Sequence, residues 1–262
     1  MSRELERWQL IERSIIKKYH KQLWTPFVAA LKQYALVQTG DHIAVCVSGG
    51  RGSMLLAKLM QQLQRHSDVP FELSFLVMDS GGAPEARGRV EENAALLRVP
   101  VRFLEADAVG AAEDFTRALY AGAQALGCNK IALGHHRDDV IETTVSAMFY
   151  GARLQGMMPK CRSVDFPGME LIRPMYCIRE EDVIAWERYN ELELLRCAAG
   201  PDKDSARERQ RAAVKSLIHT LRDTNPDLEN SIFRAVHAVN LDMFPGWETA
   251  GEAHSFLEKY ET

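Results

Sequence analysis

Two short segments of the sequence combine residue types and spacing that suit chemistry on an anion. The first, Ser48 to Ser53, reads Ser-Gly-Gly-Arg-Gly-Ser. Glycines let the backbone approach an anion closely, and the N–H groups at the start of a helix favour phosphate. A glycine-rich turn that binds nothing is the alternative. Because an apolar run precedes the segment and a helical pattern follows it, phosphate binding is the favoured interpretation.

The glycine segment fits neither of two common phosphate-binding patterns. It lacks the Gly-x-Gly-x-x-Gly spacing of dinucleotide-binding turns and the Gly-x-x-x-x-Gly-Lys-Ser/Thr spacing of Walker-type loops. It contains a permanent cation, Arg51, which could neutralise phosphate charge but cannot be a metal ligand. The sequence therefore predicts a phosphate site of another kind.

The second segment, Gly134 to Thr143, concentrates histidines and carboxylates. On a helix, His135 and Asp139 are four residues apart and Asp139 and Glu142 are three apart, so the side chains could share a face. Three interpretations fit: a metal site, a catalytic carboxylate cluster, or a helix N-terminus capped by acidic residues beside the positive end of the dipole. The cap is the commonest of these, and the residues alone leave all three open.

Alternating strands and helices position both segments. The run Ile43 to Val47 is short, apolar and rich in β-branched residues, which predicts a buried parallel strand, and apolar residues at helical spacing follow from Ser53. Further strands are predicted, with helices between them, at Phe71 to Met78, Val101 to Leu104, Lys130 to Leu133 and Glu170 to Ile172. This order predicts an α/β fold with an open parallel sheet and helices on both faces. Both segments then lie at the same edge of the sheet.

Length and pattern divide the chain into three regions. At 262 residues it can form one large α/β domain with helical extensions. We expect an N-terminal helical arm over 1–38, the sheet domain over 39–195 and a C-terminal helical extension over 196–262.

Composition excludes several classes of protein. No stretch approaches the roughly 18 uncharged apolar residues of a membrane helix, and no apolar signal region follows the charged N-terminus. We therefore expect a cytoplasmic protein without a membrane partner. The formal net charge of −4 argues against a broad, non-specific nucleic-acid binder, although local basic patches can exist. The five cysteines, none in a Cys-x-x-Cys pair, suggest neither a disulfide framework nor a metal site.

Several separated motifs together resemble one enzyme family. The segment Ser48 to Ser53 resembles the Ser-Gly-Gly-x-Asp-Ser loop of PP-loop ATP pyrophosphatases, with Gly52 where that pattern has Asp. With the later motifs, the chain is similar over nearly its whole length to the bacterial TtcA-type tRNA 2-thiocytidine synthetases of that superfamily. The later motifs are Gly134 to Thr143, Met148-Phe149-Tyr150-Gly151, Met158-Pro159-Lys160, Ile172-Arg173-Pro174 and Arg179-Glu180-Glu181-Asp182.

The resemblance implies a two-step reaction on tRNA. ATP adenylates a cytidine of the anticodon loop and releases pyrophosphate, and sulfur then displaces AMP to give 2-thiocytidine. The implied cofactors are ATP and Mg²⁺, with an iron–sulfur cluster in the family. The implied partners are an adenine nucleotide and tRNA, and we allow for a homodimer.

The resemblance also assigns site residues. The ATP phosphates would be held by Ser48, Gly49, Gly50 and Ser53, with Arg51 beside them. The catalytic group bordering the nucleotide would be His135, Asp138 and Asp139. Asp79, after the second predicted strand, could reach the nucleotide or a Mg²⁺ ion, and a strand-ending turn is an equally good interpretation. No residue is assigned as a resident metal ligand.

The sequence departs from the family in two places. Family members carry a Cys-x-x-Cys pair between the third and fourth core strands, and here 107–117 contains no cysteine. Cys197 matches the place of a further cluster ligand, but one thiolate cannot supply three or four ligands, so we expect a structural cysteine and no cluster. Gly52 removes a carboxylate that would serve Mg²⁺. Gly52→Asp is expected to restore it if the backbone accepts a side chain.

Two functions remain open from the sequence. Either the chain still adenylates RNA, with sulfur transfer reduced or lost, or it is a degenerate nucleotide- or tRNA-binding pseudoenzyme with a regulatory or scaffold role. Basic residues offer tRNA contacts, although a solvated helix face is the favoured alternative for those near the C-terminus. They are Arg153, Lys160, Arg162 and Arg173, and towards the C-terminus Arg207, Arg209, Arg211 and Lys215.

Overall fold

A computed structural model of the chain describes residues 4–79, 84–105, 112–195 and 206–260. The strands are β1 His42–Cys46, β2 Glu72–Asp79, β3 Val101–Glu105, β4 Lys130–Ala132, β5 Lys160–Arg162, β6 Glu170–Ile172, β7 Gly246–Thr249 and β8 Glu252–Ser255. The α-helices are α1 Arg7–Arg13, α2 Thr25–Gln33, α3 Arg51–His66, α4 Pro84–Leu97, α5 Ala112–Ala125, α6 Arg137–Gly151, α7 Glu180–Tyr189, α8 Ala206–Arg222, α9 Leu228–Ala235 and α10 Leu257–Tyr260.

Six strands form one sheet in the order β3-β2-β1-β4-β6-β5. All pairs are parallel except β5 with β6, and Val45 of β1 lies opposite Phe75 on one side and Ala132 on the other. The predicted α/β fold is confirmed, and the antiparallel edge strand β5 is an addition to it. The chain leaves β1 towards β2 on one side and reaches β4 on the other, so a switch point lies between β1 and β4.

Both faces of the sheet are buried, which explains the unbroken apolar run of β1. Ile43 and Val45 pack into the larger core cluster on one face, while Ala44 packs with Leu76 and Ile131 on the other. A strand covered on both faces needs no polar alternation. The buried strands give the loops at their carboxyl ends a rigid support.

The N-terminal arm is helical as predicted, but it is not one regular helix. Two π-helical segments, Ser14–Lys18 and His20–Trp24, separate α1 from α2. The apolar side chains Ile11, Ile15, Leu23 and Phe27 are buried in the main core. The arm is thus packed on the domain through an apolar face.

The C-terminal region packs on α6 and contains more than helices. Ile141 and Val145 of α6 form a cluster with Val214 and Ile218 of α8. Beyond α9, β7 and β8 form a hairpin whose turn places Ala250 and Gly251 at φ 53° and 84°, as tight hairpin turns require. The division into 1–38, 39–195 and 196–262 stays a prediction. In the described residues, no helix is long and apolar enough to cross a membrane.

Candidate functional site

The glycine-rich loop lies between β1 and α3 and is closed by its serines. Gly50 is extended, with φ −78° and ψ 163°, and α3 begins at the next residue. The Ser53 hydroxyl accepts a hydrogen bond from the Ser48 backbone N–H at 3.1 Å and donates one to the Gly50 carbonyl at 2.9 Å. The two serine hydroxyls lie 3.2 Å apart. These bonds fix the loop around the first turn of α3.

The chain segment before the C-terminal region supports this loop from outside. The Leu195 N–H donates to the Gly49 carbonyl at 3.1 Å. Gly49 has φ 80°, and a Cβ added to it would lie 2.6 Å from Val90 Cγ2 and 2.8 Å from Leu195 Cδ1. Glycine is therefore required here by both the backbone conformation and the packing.

Gly52 and Gly134 bring the two predicted segments into contact, backbone against backbone. A Cβ on Gly52 would lie 2.7 Å from the Gly134 carbonyl oxygen, and a Cβ on Gly134 would lie 2.8 Å from the Gly52 carbonyl carbon. The condition on which Gly52→Asp is expected to restore a carboxylate, a backbone that accepts a side chain, is therefore not met in this arrangement. The obstacle is a neighbouring main chain, since Gly52 does not have a positive φ.

Arg51 and Asp79 each have an ion-pair partner at this edge of the sheet. Arg51 Nε lies 3.3 Å from Glu187 Oε2 of α7. Asp79 ends β2, and its Oδ2 lies 2.5 Å from Arg87 Nη1 of α4. Asp79 is therefore at the strand end expected from the sequence, with an arginine beside it.

The acidic residues after β4 serve as backbone acceptors at two helix starts. Asp139 Oδ2 accepts from the His136 N–H at 2.8 Å, and Asp138 Oδ2 accepts from the Glu180 N–H at 2.6 Å, at the start of α7. Of the three interpretations left open by the sequence, the capping role is the one that this geometry displays. Asp138 thereby ties α7 to α6 beside the glycine contact.

Two cations of α8 reach the same carboxylates. Arg211 Nε donates to Glu142 Oε2 at 2.9 Å, and its Nη2 donates to Asp139. Lys215 Nζ lies 3.5 Å from Glu142 Oε1 and 2.5 Å from Glu180 Oε2. Sequence reasoning offered these two residues as tRNA contacts or as a solvated face, and both instead pair with carboxylates. Helical spacing of basic residues gave no signal for these partners.

The titratable groups after β4 have shifted pKa values. Burial lowers the pKa of His135 to about 4, so its imidazole is neutral at pH 7. Burial raises the pKa of Asp138 above its ordinary value. Burial also acts on Asp139, but His136 and Arg211 together outweigh it, so the pKa of Asp139 lies below its ordinary value. Two adjacent carboxyl groups with pKa values moved apart are a feature of acid–base sites.

The cysteines of the described part do not fit an iron–sulfur cluster. They are dispersed over the fold at Cys46, Cys128, Cys161 and Cys177. Burial raises the pKa of Cys46 to about 11, and it raises the pKa of Cys128 and Cys177, which disfavours the thiolate that binds iron. Cys197 and residues 107–111 lie outside the described residues.

The described part of the chain also contains no clustered ligand set for a hard cation. No group of three or more His, Cys, Asp or Glu side chains there could hold a metal ion. Gly52 offers no carboxylate, and Asp79 is paired with Arg87. These residues therefore do not fit a Mg²⁺ ion held by the protein alone.

The predicted site residues lie at the carboxyl ends of three neighbouring strands. Residues 48–53 follow β1, Asp79 ends β2, and His135, Asp138 and Asp139 follow β4. The loop after β1 contacts the segment after β4 through the backbones of Gly52 and Gly134. These three groups border the crevice expected at the switch point of a parallel sheet, where α/β proteins bind ligands.

Comparison with known proteins identifies the family. The PP-loop domain family matches residues 17–218. The tRNA-cytidine(32) 2-sulfurtransferase of Delftia acidovorans is 31% identical over 249 residues, covering 89% of this chain and 78% of that protein. The same enzyme of Geotalea daltonii is 32% identical over 245 residues, covering 88% of this chain and 94% of that protein.

One solved structure shares the fold. The U34-tRNA thiolase NcsA from Methanococcus maripaludis, described with its 4Fe-4S cluster, superposes with a TM-score of 0.65 at 15% identity. The match covers 81% of this chain and 76% of that chain, and at this identity it supports the fold alone. From the family match and the sequence identities, the chain belongs to the PP-loop family and, within it, is a divergent member of the TtcA-type tRNA 2-thiocytidine synthetases.

Proposed function

We propose that this chain binds ATP where the loops after β1 and β4 meet and uses it to adenylate an RNA cytidine, with sulfur transfer reduced or lost. The observation that carries the proposal is the backbone contact of Gly52 with Gly134, which joins both loops at the switch point. The RNA is proposed to be a cytoplasmic tRNA, because the relatives named above are tRNA-cytidine sulfurtransferases.

The first turn of α3 supports binding of the ATP phosphates. Its N–H groups have no acceptor inside the helix, and the helix dipole adds positive potential there. Gly50 is not crowded, since a Cβ built there would make only ordinary contacts, with Leu195 O at 3.6 Å and Ser48 Oγ at 3.7 Å. The hydroxyls of Ser48 and Ser53 bond each other and the Gly50 carbonyl, and so hold this turn in place. The backbone N–H groups of the turn favour a polyphosphate, while the one cation of the loop, Arg51, pairs with Glu187.

The proposed chemistry begins with attack of the cytidine O2 on the α-phosphorus of ATP. A bond forms between O2 and phosphorus while the bond to pyrophosphate breaks. The donors of the first loop stabilise the negative charge of the phosphates, and the neutral His135 can exchange a hydrogen bond without adding charge. In the full family reaction, sulfur then adds to C2, and AMP leaves with the former O2.

The sulfur step is where this chain departs from its family. The Cys-x-x-Cys pair is missing from the sequence, the described thiols are dispersed, and burial raises the pKa of Cys46, Cys128 and Cys177. A sulfur atom would therefore have to come from a donor outside the described residues. This supports retained nucleotide chemistry with weakened or lost thiolation.

A second candidate is a pseudoenzyme that binds nucleotide or tRNA without turnover. The observation favouring it is the engagement of the acidic residues after β4. Asp138 and Asp139 accept backbone N–H groups, and Arg211 pairs with Asp139. Carboxylates held in this way are less available as catalytic bases than free ones.

A pyrophosphate-release assay with ATP, Mg²⁺ and bulk tRNA, followed by mass spectrometry of tRNA nucleosides, separates these possibilities. RNA-dependent pyrophosphate release without 2-thiocytidine is the expected result. Nucleotide binding without release would favour the pseudoenzyme. Robust 2-thiocytidine formation in cells lacking any other thiolase would contradict loss of sulfur transfer.

Anaerobic iron and sulfide analysis tests the proposed absence of a cluster. We expect the purified protein to contain neither in stoichiometric amount, because the cysteines lack the number and spacing of a ligand set. Stoichiometric iron and acid-labile sulfide in a monomeric preparation would refute the proposal. The Cys197→Ser variant shows whether any iron found depends on that thiol.

A further inference from the structure

The N-terminal arm has a one-sided charge that the proposed site does not use. From Arg7 to Leu36, its only acidic residue is Glu12, which is buried and pairs with Lys58 at 2.6 Å and Arg65 at 2.9 Å. The six basic side chains of the same stretch are all exposed: Arg7, Arg13, Lys17, Lys18, Lys21 and Lys32. In a chain of net charge −4, this surface stands out as a local region of positive potential.

Four of these cations line a groove between the arm and the end of α7. The groove has a volume of about 510 Å³, and its cations are Arg7, Arg13, Lys17 and Lys18. Glu191 is its one acidic lining residue. Within the described part of the chain, Arg13, Lys17 and Lys18 form no ion pair with a carboxylate. The cations therefore remain available to an external anion.

An aromatic ring lies among the cations. Tyr189 is 51% exposed, and Lys18 Nζ lies 3.6 Å from the centre of its ring. Tyr19 packs edge-on against Tyr189 with ring centres 5.8 Å apart, which holds the ring in place. Cations interleaved with an exposed aromatic ring suit a nucleic-acid strand, whose phosphates and bases need both.

The groove is connected to the glycine-rich loop by a short stretch of chain. At one end, Arg7 donates to the carbonyls of Asn190 and Glu191 at 3.2 and 3.3 Å. At the other end, Leu195 bonds Gly49 of the loop. From Glu191 to Leu195 the chain advances four residues, which span at most roughly 14 Å. A polymer in the groove can therefore extend to the crevice.

We propose that this groove binds the phosphate backbone of the RNA whose base reacts at the crevice. The choice of RNA as the polyanion rests on the proposed function, while the groove itself rests on charge complementarity. An anionic membrane is less suitable, because Leu10 and Tyr189 are the two large exposed hydrophobic side chains among the described lining residues, and Tyr189 carries a polar hydroxyl.

The test compares the full-length wild type with the double variant Lys17→Gln, Lys18→Gln. Binding of fluorescently labelled bulk tRNA is measured by anisotropy over a series of KCl concentrations. The slope of log affinity against log salt should fall by about one per lost phosphate contact, and affinity at low salt should drop roughly tenfold or more. Lys32→Gln is the matched control, since Lys32 is exposed on the same arm in α2 but does not line the groove.

Other outcomes separate the groove from the crevice. The double variant should unfold at the wild-type temperature and bind ATP as wild type does. Equal tRNA affinity and equal salt slope in wild type and double variant would overturn the proposal. It would also be overturned if the double variant lost binding to phosphatidylserine vesicles while its tRNA binding stayed unchanged. If no form of the protein binds ATP while the tRNA difference persists, the groove stands and the proposed function fails.

Discussion

The loops after β1 and β4 lie side by side at one sheet edge, yet they are built differently. The loop from Ser48 to Ser53 is fixed by backbone packing and two hydroxyls, without a carboxylate. The segment from His135 to Glu142 is fixed by carboxylates that cap helix starts and pair with cations of α8. One loop presents backbone donors, and the other directs its acidic groups inwards.

Under the proposed function, this difference separates the two halves of the family reaction. Backbone donors at a helix start bind phosphate regardless of most side chains, so the first loop can tolerate the change at Gly52. A metal-dependent or sulfur-dependent step requires specific side chains, and in the described residues Asp79 and Asp139 are each paired with an arginine. Substitutions in the two loops should therefore have different consequences.

The largest effect is expected from adding a side chain at the contact of the loops. Gly52→Ala should destabilise the protein by about 1–3 kcal/mol, because its Cβ meets a backbone carbonyl that cannot rotate away. Gly52→Asp should destabilise the protein at least as much, and Mg²⁺ should not increase its ATP affinity beyond that of wild type. Gly50→Ala is the control, since its Cβ has ordinary contacts. Urea unfolding compares the three, and equal midpoints for Gly52→Ala and Gly50→Ala would disprove the tight contact.

Arg211→Met should have the next largest effect, in the second loop. The substitution leaves Asp139 and Glu142, whose side chains are 9% and 6% exposed, without their arginine. Because Arg211 itself is half-exposed, we expect a loss of about 1–2 kcal/mol. The pKa of Asp139 is lowered in the fold, so its charge stabilises the folded state above the ordinary pKa of 3.8. The difference in free energy of unfolding between wild type and Arg211→Met should therefore be present above pH 3.8 and should shrink below it, where the carboxylate is protonated.

Urea unfolding of Arg211→Met and Arg211→Lys at neutral and acid pH checks this pairing. Arg211→Lys keeps the charge and should recover part of the stability. Equal stability of wild type and Arg211→Met at neutral pH would show that the α8 pairs contribute nothing.

His135 should give the second loop a pH dependence. Its pKa is about 4 in the fold, below the ordinary 6.5, so the fold favours the neutral imidazole. The free energy of unfolding is therefore highest above pH 6.5. It decreases as the pH falls towards 4, because the unfolded state takes up a proton on His135 that the folded state does not. His135→Gln should flatten the stability profile in this window, whereas His66→Gln, at an exposed position, should not. Parallel profiles for wild type and His135→Gln would contradict the buried, neutral state.

The smallest effect is expected from Ser53→Ala in the first loop. It removes the hydroxyl that links Ser48 and Gly50, at a cost of about 1 kcal/mol. ATP affinity should fall as well, because the loop loses the bonds that hold Ser48 and Gly50 around the first turn of α3. Ser231→Ala, at an exposed position of α9, serves as the control in thermal unfolding and calorimetry. An unchanged ATP affinity would mean that the hydroxyl is only structural.

Local patterns predicted most of the fold but little of how the site is held. The apolar run before Ser48 and the helical spacing after Ser53 predicted a strand, a loop and a helix, as found. Strand β5 has only three residues, and two of them are exposed, so it carries no apolar signal. The hairpin of β7 and β8 depends on a turn at Ala250 and Gly251, for which local propensity is weak.

The contacts that organise the site join residues far apart in the sequence. Arg211 pairs with Asp139 across 72 positions because α8 packs on α6. The contact of Gly52 with Gly134 depends on β1 and β4 being neighbours in the sheet. A single sequence gives residue types and spacing, and such pairings follow only from the packed structure.

Titration calorimetry with ATP, on wild type and Gly50→Val, tests the central claim most directly. At Gly50 a Cβ would make only ordinary contacts, with Leu195 O and Ser48 Oγ, so we expect the substitution to leave the fold intact while crowding the loop proposed to bind phosphate. We predict saturable ATP binding by wild type and its loss in Gly50→Val, with unfolding temperatures that stay close. Absence of adenine-nucleotide binding to wild type at millimolar concentration, or equal binding by the variant, would contradict the proposed site.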